Sequence, residues 1–276
     1  MSTVLANGLS VHVERLAPPE PAPGAHRTAP TAVLIHGLAL DTLASWYLTL
    51  ANPLAAAGLD VVMYDLRGHG HTDRPAEGYA LDDFVDDLAA LLAALDITGP
   101  VVLVGNSFGG TIAFAYAARH PERVAAIVAV EAAPPIAAWR EQMPRWLSSA
   151  AAYLPDDTLA GIDGRGGLGR RARSIREVIT QTSLMRDVPA SRTSPEERIA
   201  AIGCPVLCVY GGAATVGELA PEVRRLLPQA RIVTVPGQRH TVLVDQPDSV
   251  RDIVLPWLLQ SGGLHPGHHQ LACADQ

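Results

Sequence analysis

The chain has 276 residues, 48% of them hydrophobic and 18% charged, with a formal net charge of −7, which is enough for one large α/β core with an insertion. The acidic balance carries no basic stripe, so the electrostatic attraction that nucleic-acid and membrane-surface binding require is missing. All 21 cationic residues are arginine, which excludes Schiff-base, phosphate-loop and general-base lysine chemistry.

Cys204, Cys208 and Cys273 are spaced for neither a disulfide framework nor a zinc site, and read as reduced thiols of a cytoplasmic protein. The first residues, MSTVLANGLSVHVERL, lack a cationic start followed by an apolar run. No uncharged apolar stretch reaches the roughly 20 residues that span a bilayer. A soluble, cytoplasmic chain is the expectation.

In chain order, Thr3 to Leu5 and Ser10 to Arg15 predict a hairpin turning on Asn7-Gly8, followed by a proline-rich loop from Ala17 to Pro30. Then come the aliphatic runs TAVLIH, DVVMYD, PVVLVG, RVAAIVAVE, CPVLCVYG and ARIVTVPG. They hardly alternate, as strands buried on both faces of a parallel sheet do not. Helical periodicity falls between them, over Leu43 to Ala57, Leu81 to Leu95, Thr111 to His120, Val216 to Leu227 and Asp248 to Gln260. Strand and helix taking turns predicts an α/β fold with helices on both faces. The rhythm breaks from Pro134 to about Pro195, where an inserted helical cap is expected between the sixth and seventh strands. The division is then a core of residues 1–133 and 196–260, a cap of 134–195, and a tail of 261–276 whose breakers and low apolar content predict disorder.

Residues 105–109, GNSFG, form G-x-S-x-G between a strand and a helix, the context that gives the motif meaning. A strand turning at once into a helix strains its corner residue and leaves no room for flanking side chains. The Ser107 hydroxyl is thereby thrust above the sheet edge. A serine needs a base and oxyanion donors to react. His240, in the loop after the last strand, is the candidate base. The amides of Leu38, which follows His36-Gly37, and of Phe108 are the candidate oxyanion hole.

HG at 36–37, Trp46, YDLRGHGHTDRP at 64–75, the serine elbow, ARHPERV at 118–124 and the late histidine together resemble the α/β-hydrolase family, from about Thr31 to Gln260. The resemblance implies a mostly parallel, eight-stranded sheet with a lid. No cofactor or metal is expected. GNSFGG is also similar to the elbows of carbon–carbon bond hydrolases that act on ring-cleavage products.

One feature of the family is missing. Its usual acid follows the seventh strand, where this chain has Ala213 and Ala214. Glu131, ending IVAVE just before the cap, is the expected substitute, because a carboxylate is expensive on a strand built for burial. IVAVEAAPP looks like the haloalkane dehalogenase branch, which takes its acid from this strand end. Glu218 is the alternative, and a Ser–His dyad a third option.

Other signals carry less. Gly164 to Gly169 matches G-x-G-x-x-G but follows no strand, so a dinucleotide site lacks its context. Arg170 to Arg176 either hold a substrate carboxylate or form a solvated helix face. The resemblance implies that His69 and His71 sit in a structural loop, and no metal site is expected there. Phe108, Trp139 and Trp146, with Trp46 and Tyr153, are candidates for lining a substrate cavity, against ordinary packing of cap on core.

The expected activity is a serine hydrolase cleaving an ester, thioester, lactone or activated C–C bond of a small organic molecule through an acyl-enzyme. Dehalogenase and epoxide chemistry need a carboxylate nucleophile, and position 107 is serine. A lyase or cyclase on the same scaffold and a ligand-binding receptor are the rivals. The oligomeric state is left open.

Overall fold

The computed structural model describes residues 2–20, 29–39, 41–152 and 167–261. Eight strands form one sheet in the order β1-β2-β4-β3-β5-β6-β7-β8. β1 (Ser2–Ala6) and β2 (Leu9–Leu16) are the expected antiparallel hairpin. Its corner residues Asn7 and Gly8 have φ of 49° and 76°, the left-handed pair that a tight hairpin turn demands. β2 runs antiparallel to β4 (Asp60–Tyr64). All remaining pairings are parallel, through β3 (Thr31–Ile35), β5 (Val101–Asn106), β6 (Val124–Val130), β7 (Val206–Gly211) and β8 (Arg231–Val235).

The lack of alternation in these strands has a direct cause, since each face of the sheet has its own apolar cover. Val33, Ile35, Leu103, Ile127 and Cys208 point into one cluster, with Phe84 and Leu88 of α3 (Leu81–Ala94) and Ile112 of α4 (Phe108–Arg119). Their neighbours Leu34, Val102, Val104, Val128 and Leu207 point into the other. That second cluster is completed by α1 (Leu43–Tyr47), α2 (Ala51–Ala56) and a long carboxyl-terminal helix, Pro247–Gln260.

Two predicted helices are broken by proline. The segment Leu43 to Ala57 divides into α1 and α2 because Pro53 has no N–H to continue the helical ladder, and it lies instead in the first turn of α2. The segment from Val216 divides into a 3-10 turn (Thr215–Leu219) and a helix starting at Ala220, with Pro221 in its first turn.

Between β6 and β7 the described residues contain no strand. They form α5 (Ala137–Ala152), α6 (Gly167–Gln181), α7 (Leu184–Asp187) and α8 (Glu196–Ala200). Trp139, Met143 and Leu147, each one helical turn from the next, are buried in α5. Polar ties hold these helices to the core: Arg74 donates to Ser174 Oγ (2.7 Å) and to Glu177, and Leu81 N donates to Ser191 Oγ (2.9 Å). Tyr153, the start of the glycine run at 164–166, Cys273 and the expected tail beyond residue 261 lie outside the described residues. Among the described residues no helix is long and apolar enough to cross a membrane.

The chain passes from β3 to β4 on one side and later from β4 back to β5 on the other. The carboxyl ends of β3 and β5 therefore flank a topological switch point, where open α/β sheets form their ligand crevice. The elbow glycines let α4 start directly on top of it. A methyl group on Gly109 would stand 2.0 Å from the Ile35 carbonyl oxygen and 2.7 Å from that of His36. Gly109→Ala is therefore expected to cost about 3 kcal/mol or more in urea unfolding. Gly203→Ala, whose new methyl meets nothing within 4 Å, is expected to change stability by less than about 1 kcal/mol.

Candidate active site

Ser107 follows β5 directly and has φ 53° and ψ −123°, a sparsely populated conformation for a residue with a side chain. Its amide still donates to Val130 O of the neighbouring strand (2.8 Å), and its carbonyl accepts from Gly110 N (3.0 Å). The turn is thus pinned from both sides. Glu131 leaves β6 in the same manner, with φ 52° and its amide donating to Val209 O (2.8 Å). Two adjacent parallel strands end in the same kink and project their next side chains from the same sheet edge.

His240 joins them. Its Nε2 lies 2.9 Å from Ser107 Oγ and its Nδ1 lies 3.1 Å from Glu131 Oε2. With the ionised carboxylate acting as acceptor, Nδ1–H donates to Glu131 and Nε2 is left to accept from the serine hydroxyl. The Glu131 side chain is fully buried, whereas that of His240 is 57% exposed. The other carboxylate oxygen, Oε1, accepts from Gly211 N of β7. Both oxygens are satisfied, which is what makes a buried carboxylate tolerable. Gly211 also carries the histidine loop, since a methyl there would lie 2.5 Å from Gln238 O and 2.7 Å from Arg239 O.

The structure thus brings Ser107, His240 and Glu131 into one hydrogen-bonded chain. Glu218 is elsewhere. It lines a hollow of about 480 Å³ together with Gly212, Ala213 and Ala214, at the end of β7 where the usual acid would project.

The turn after β3 packs against the elbow, since a methyl on Gly37 would be 3.2 Å from Ser107 Cβ. Leu38 lies between two committed amides: Gly37 N donates to Asp41 Oδ2 (2.9 Å) and Ala39 N to His69 Nε2 (2.8 Å). Phe108 N is the first amide of the twelve-residue α4, where unpaired N–H groups and the helix dipole favour negative charge. The rings of Phe108 and Trp139, 3% and 1% exposed, stack at 6.3 Å between centroids inside the core, and Phe84 meets Phe108 edge-on at 5.1 Å. Packing takes up both rings. Trp146 is half-buried with Nε1 donating to Thr215 Oγ1 (3.1 Å), and Trp46 is buried in the cluster on the opposite face of the sheet. Of the arginine run, Arg173 and Arg176 stand on the exposed side of α6.

A family model for the alpha/beta hydrolase fold matches residues 30–162. An sn-1-specific diacylglycerol lipase of Mus musculus is 30% identical over 262 residues, covering 84% of this chain and 81% of its own. The chain belongs to the α/β-hydrolase family. A putative 2-succinyl-6-hydroxy-2,4-cyclohexadiene-1-carboxylate synthase of Bacillus subtilis is also similar to this hydrolase, 30% identical over 221 residues, covering 72% of this chain and 80% of its own. Among solved structures, a carboxylesterase from Nitrososphaera gargenis superposes with a TM-score of 0.69 at 27% identity, covering 94% of this chain and 98% of the other.

Beneath the site the hydrolase buries a polar network that residue spacing alone does not reveal. Asp65 accepts from Leu43 N (2.9 Å) and His71 N (3.0 Å) and pairs with His12 Nδ1 (2.7 Å). Burial opposes its charge, but the hydrogen bonds from Leu43, His12 and His71 favour the ionised form, and its pKa lies below the usual carboxylate value. Arg67 makes a two-pronged bond to Asp87 and donates to Gly78 O and Asp83 O (3.2 Å). His36 accepts from Leu66 N (2.9 Å) and donates through Nδ1 to Gly37 O (2.7 Å). His69 accepts from Ala39 N and donates through Nδ1 to Arg67 O (2.8 Å). The sequence motifs flag these segments, but Asp41 and Asn106, joined at 3.2 Å beside the serine, carry no signal in one dimension.

Burial lowers the His69 pKa from 6.5 to about 4. An unfolded histidine takes its proton near pH 6.5 and the folded one only near 4, so acid favours the unfolded chain across that window. The loss is absent above about pH 6.5, complete below about 4, and on the order of 3 kcal/mol. Urea unfolding across this range is expected to show a downward slope that is clearly shallower in a His69→Gln variant.

Proposed function

We propose that this enzyme is a serine hydrolase that cleaves a carboxylic ester, or the equivalent thioester or lactone carbonyl, of a small organic molecule through a covalent acyl-enzyme. The observation that carries the reading is the chain from Ser107 Oγ to His240 Nε2 at 2.9 Å and from His240 Nδ1 to Glu131 Oε2 at 3.1 Å. The lipase and carboxylesterase relatives, both named for ester chemistry, support it.

In this mechanism Ser107 Oγ attacks the carbonyl carbon while His240 Nε2 takes the hydroxyl proton. The negative charge that develops on the carbonyl oxygen is met by the Leu38 and Phe108 amides. The imidazolium then passes its proton to the departing alkoxide oxygen, leaving the acyl group on Ser107. Water enters, His240 takes one of its protons, and the same steps in reverse release the acid and restore the serine. Glu131 stays ionised throughout. It holds the histidine in the tautomer whose Nε2 is free to act as a base. Residues 134–195 are the proposed cap over this site, with Trp139 and Phe108 acting through packing.

The synthase relative favours a second reading, a lyase in which His240 is a base and Ser107 only donates a hydrogen bond. Covalent labelling separates the two. A fluorophosphonate probe is expected to add its phosphonyl group to Ser107, as read by peptide mass spectrometry. Absence of that adduct in folded protein would favour the lyase.

Substitution tests the acid. On a p-nitrophenyl ester, Glu131→Gln is expected to lower kcat by roughly 10²- to 10⁴-fold, while Glu218→Gln stays within about twofold of the parent. A collapse in the second with survival in the first would move the acid to Glu218.

A further inference from the structure

We propose that His69, which touches neither the serine nor the carbonyl carbon it attacks, is a positioning residue that aims the Leu38 amide at the developing oxyanion. The inference rests on the serine-hydrolase reading above.

The geometry that carries it is the way the turn after β3 is held. Ala39 has φ 62°, a left-handed conformation that a residue with a side chain adopts only under constraint. The constraint is visible: Ala39 N donates to His69 Nε2 at 2.8 Å, and the ring is fixed in turn by its Nδ1–H bond to Arg67 O at 2.8 Å. The peptide unit that carries Ala39 N also carries Leu38 C=O, so the orientation of that plane sets the conformation at Leu38 and with it the direction of the Leu38 N–H. On the other side, Gly37 N is held by Asp41 Oδ2 at 2.9 Å, and Asp41 is tied to Asn106, the residue before the serine, at 3.2 Å. The Leu38 amide is thus suspended between two anchored neighbours in a turn that packs against the elbow.

His36 makes the reciprocal bond. It leaves the same turn to accept from Leu66 N in the loop after β4 (2.9 Å), while His69 leaves that loop to accept from the turn. The two rings lie 5.3 Å apart. Each must stay neutral to keep an acceptor nitrogen for its amide, and the lowered pKa of His69, about 4, agrees with that. The network has no role in proton transfer, since both nitrogens of each ring are bonded to backbone. Its effect is geometric, and an oxyanion donor is the group most sensitive to geometry: deleting one costs about 10²- to 10³-fold in kcat, and misdirecting one costs part of that.

The test removes the single bond and leaves the side chains in place. L-lactic acid incorporated at position 39 replaces the Ala39 N–H with an ester oxygen. His69→Leu removes the acceptor, and His69→Gln supplies another through its amide oxygen. Each protein is checked for a cooperative thermal transition and assayed on a p-nitrophenyl ester and on inhibition by an alkyl trifluoromethyl ketone, which forms an oxyanion on the serine. The backbone ester and His69→Leu are expected to lower kcat 10- to 100-fold with KM within about twofold, and to weaken the ketone in proportion to kcat. His69→Gln is expected to recover most of the lost kcat.

If the folded backbone-ester protein keeps kcat and ketone affinity within twofold of the parent, the inference is wrong. It is equally wrong if the loss appears in KM or thermal stability alone. If the parent itself takes no fluorophosphonate on Ser107, the serine-hydrolase reading fails and takes the inference with it. Normal labelling of the parent with indifferent variants overturns only the inference.

Discussion

Two neighbouring parallel strands end in the same strained step, and the site is built on it. Ser107 and Glu131 have φ of 53° and 52°, and each keeps its amide on the next strand, Ser107 on Val130 and Glu131 on Val209. The ladder bonds oblige the chain to stay in the sheet up to the amide, while the positive φ turns it sharply immediately afterwards. Strain of this kind persists only where surrounding structure over-determines it. Here the over-determination is atomic contact: Gly105, Gly109 and Gly110 leave no volume for a single methyl between the elbow, β3 and Ala132.

Placing the proposed acid after β6 changes what surrounds it. A carboxylate after β7 would stand at the hollow now lined by Ala213, Ala214 and Glu218. Glu131 instead lies under the histidine loop and is fully buried, so it depends on having both oxygens occupied. Gly211 N occupies one and His240 Nδ1 the other. Gly211 therefore serves twice, as donor to the acid and as the flat surface on which Gln238 and Arg239 rest. The exposed His240 ring is oriented from its buried side and open on the other, the arrangement that the proposed base would need to reach both the serine and an incoming water.

The histidine-rich loop answers to a different need. His69 and His71 look in sequence like metal ligands, yet His69 has both nitrogens committed to backbone, and His71 lends its amide to Asp65. The buried charges nearby follow the same rule of complete satisfaction, with Asp65 collecting two amides and a histidine and Arg67 collecting Asp87 and two carbonyls. Such a network fixes the loops after β3 and β4 relative to each other more tightly than apolar packing could, because hydrogen bonds are directional.

Much of this was legible in one dimension because it is local. Unalternating aliphatic runs mean strands covered on both faces, Asn7-Gly8 means a tight hairpin, and G-x-S-x-G between a strand and a helix means a corner that excludes side chains. Proline's missing N–H splits two predicted helices at positions where hydrophobic periodicity runs on unbroken. Glu131 could be suspected as a charge out of place on a buried strand, but its two partners come from residues 80 and 109 positions away. The packing of Phe108 and Trp139 into each other, the pairing of Asp41 with Asn106 and the bond from Ala39 to His69 are equally non-local. The sequence by itself determined the order of strands and helices and the corner that lifts Ser107 out of the sheet, since each depends on neighbouring residues. Which carboxylate meets His240, and which side chains hold the Leu38 turn, only the tertiary structure decided, because distances between remote residues come from the packing of the sheet and its loops.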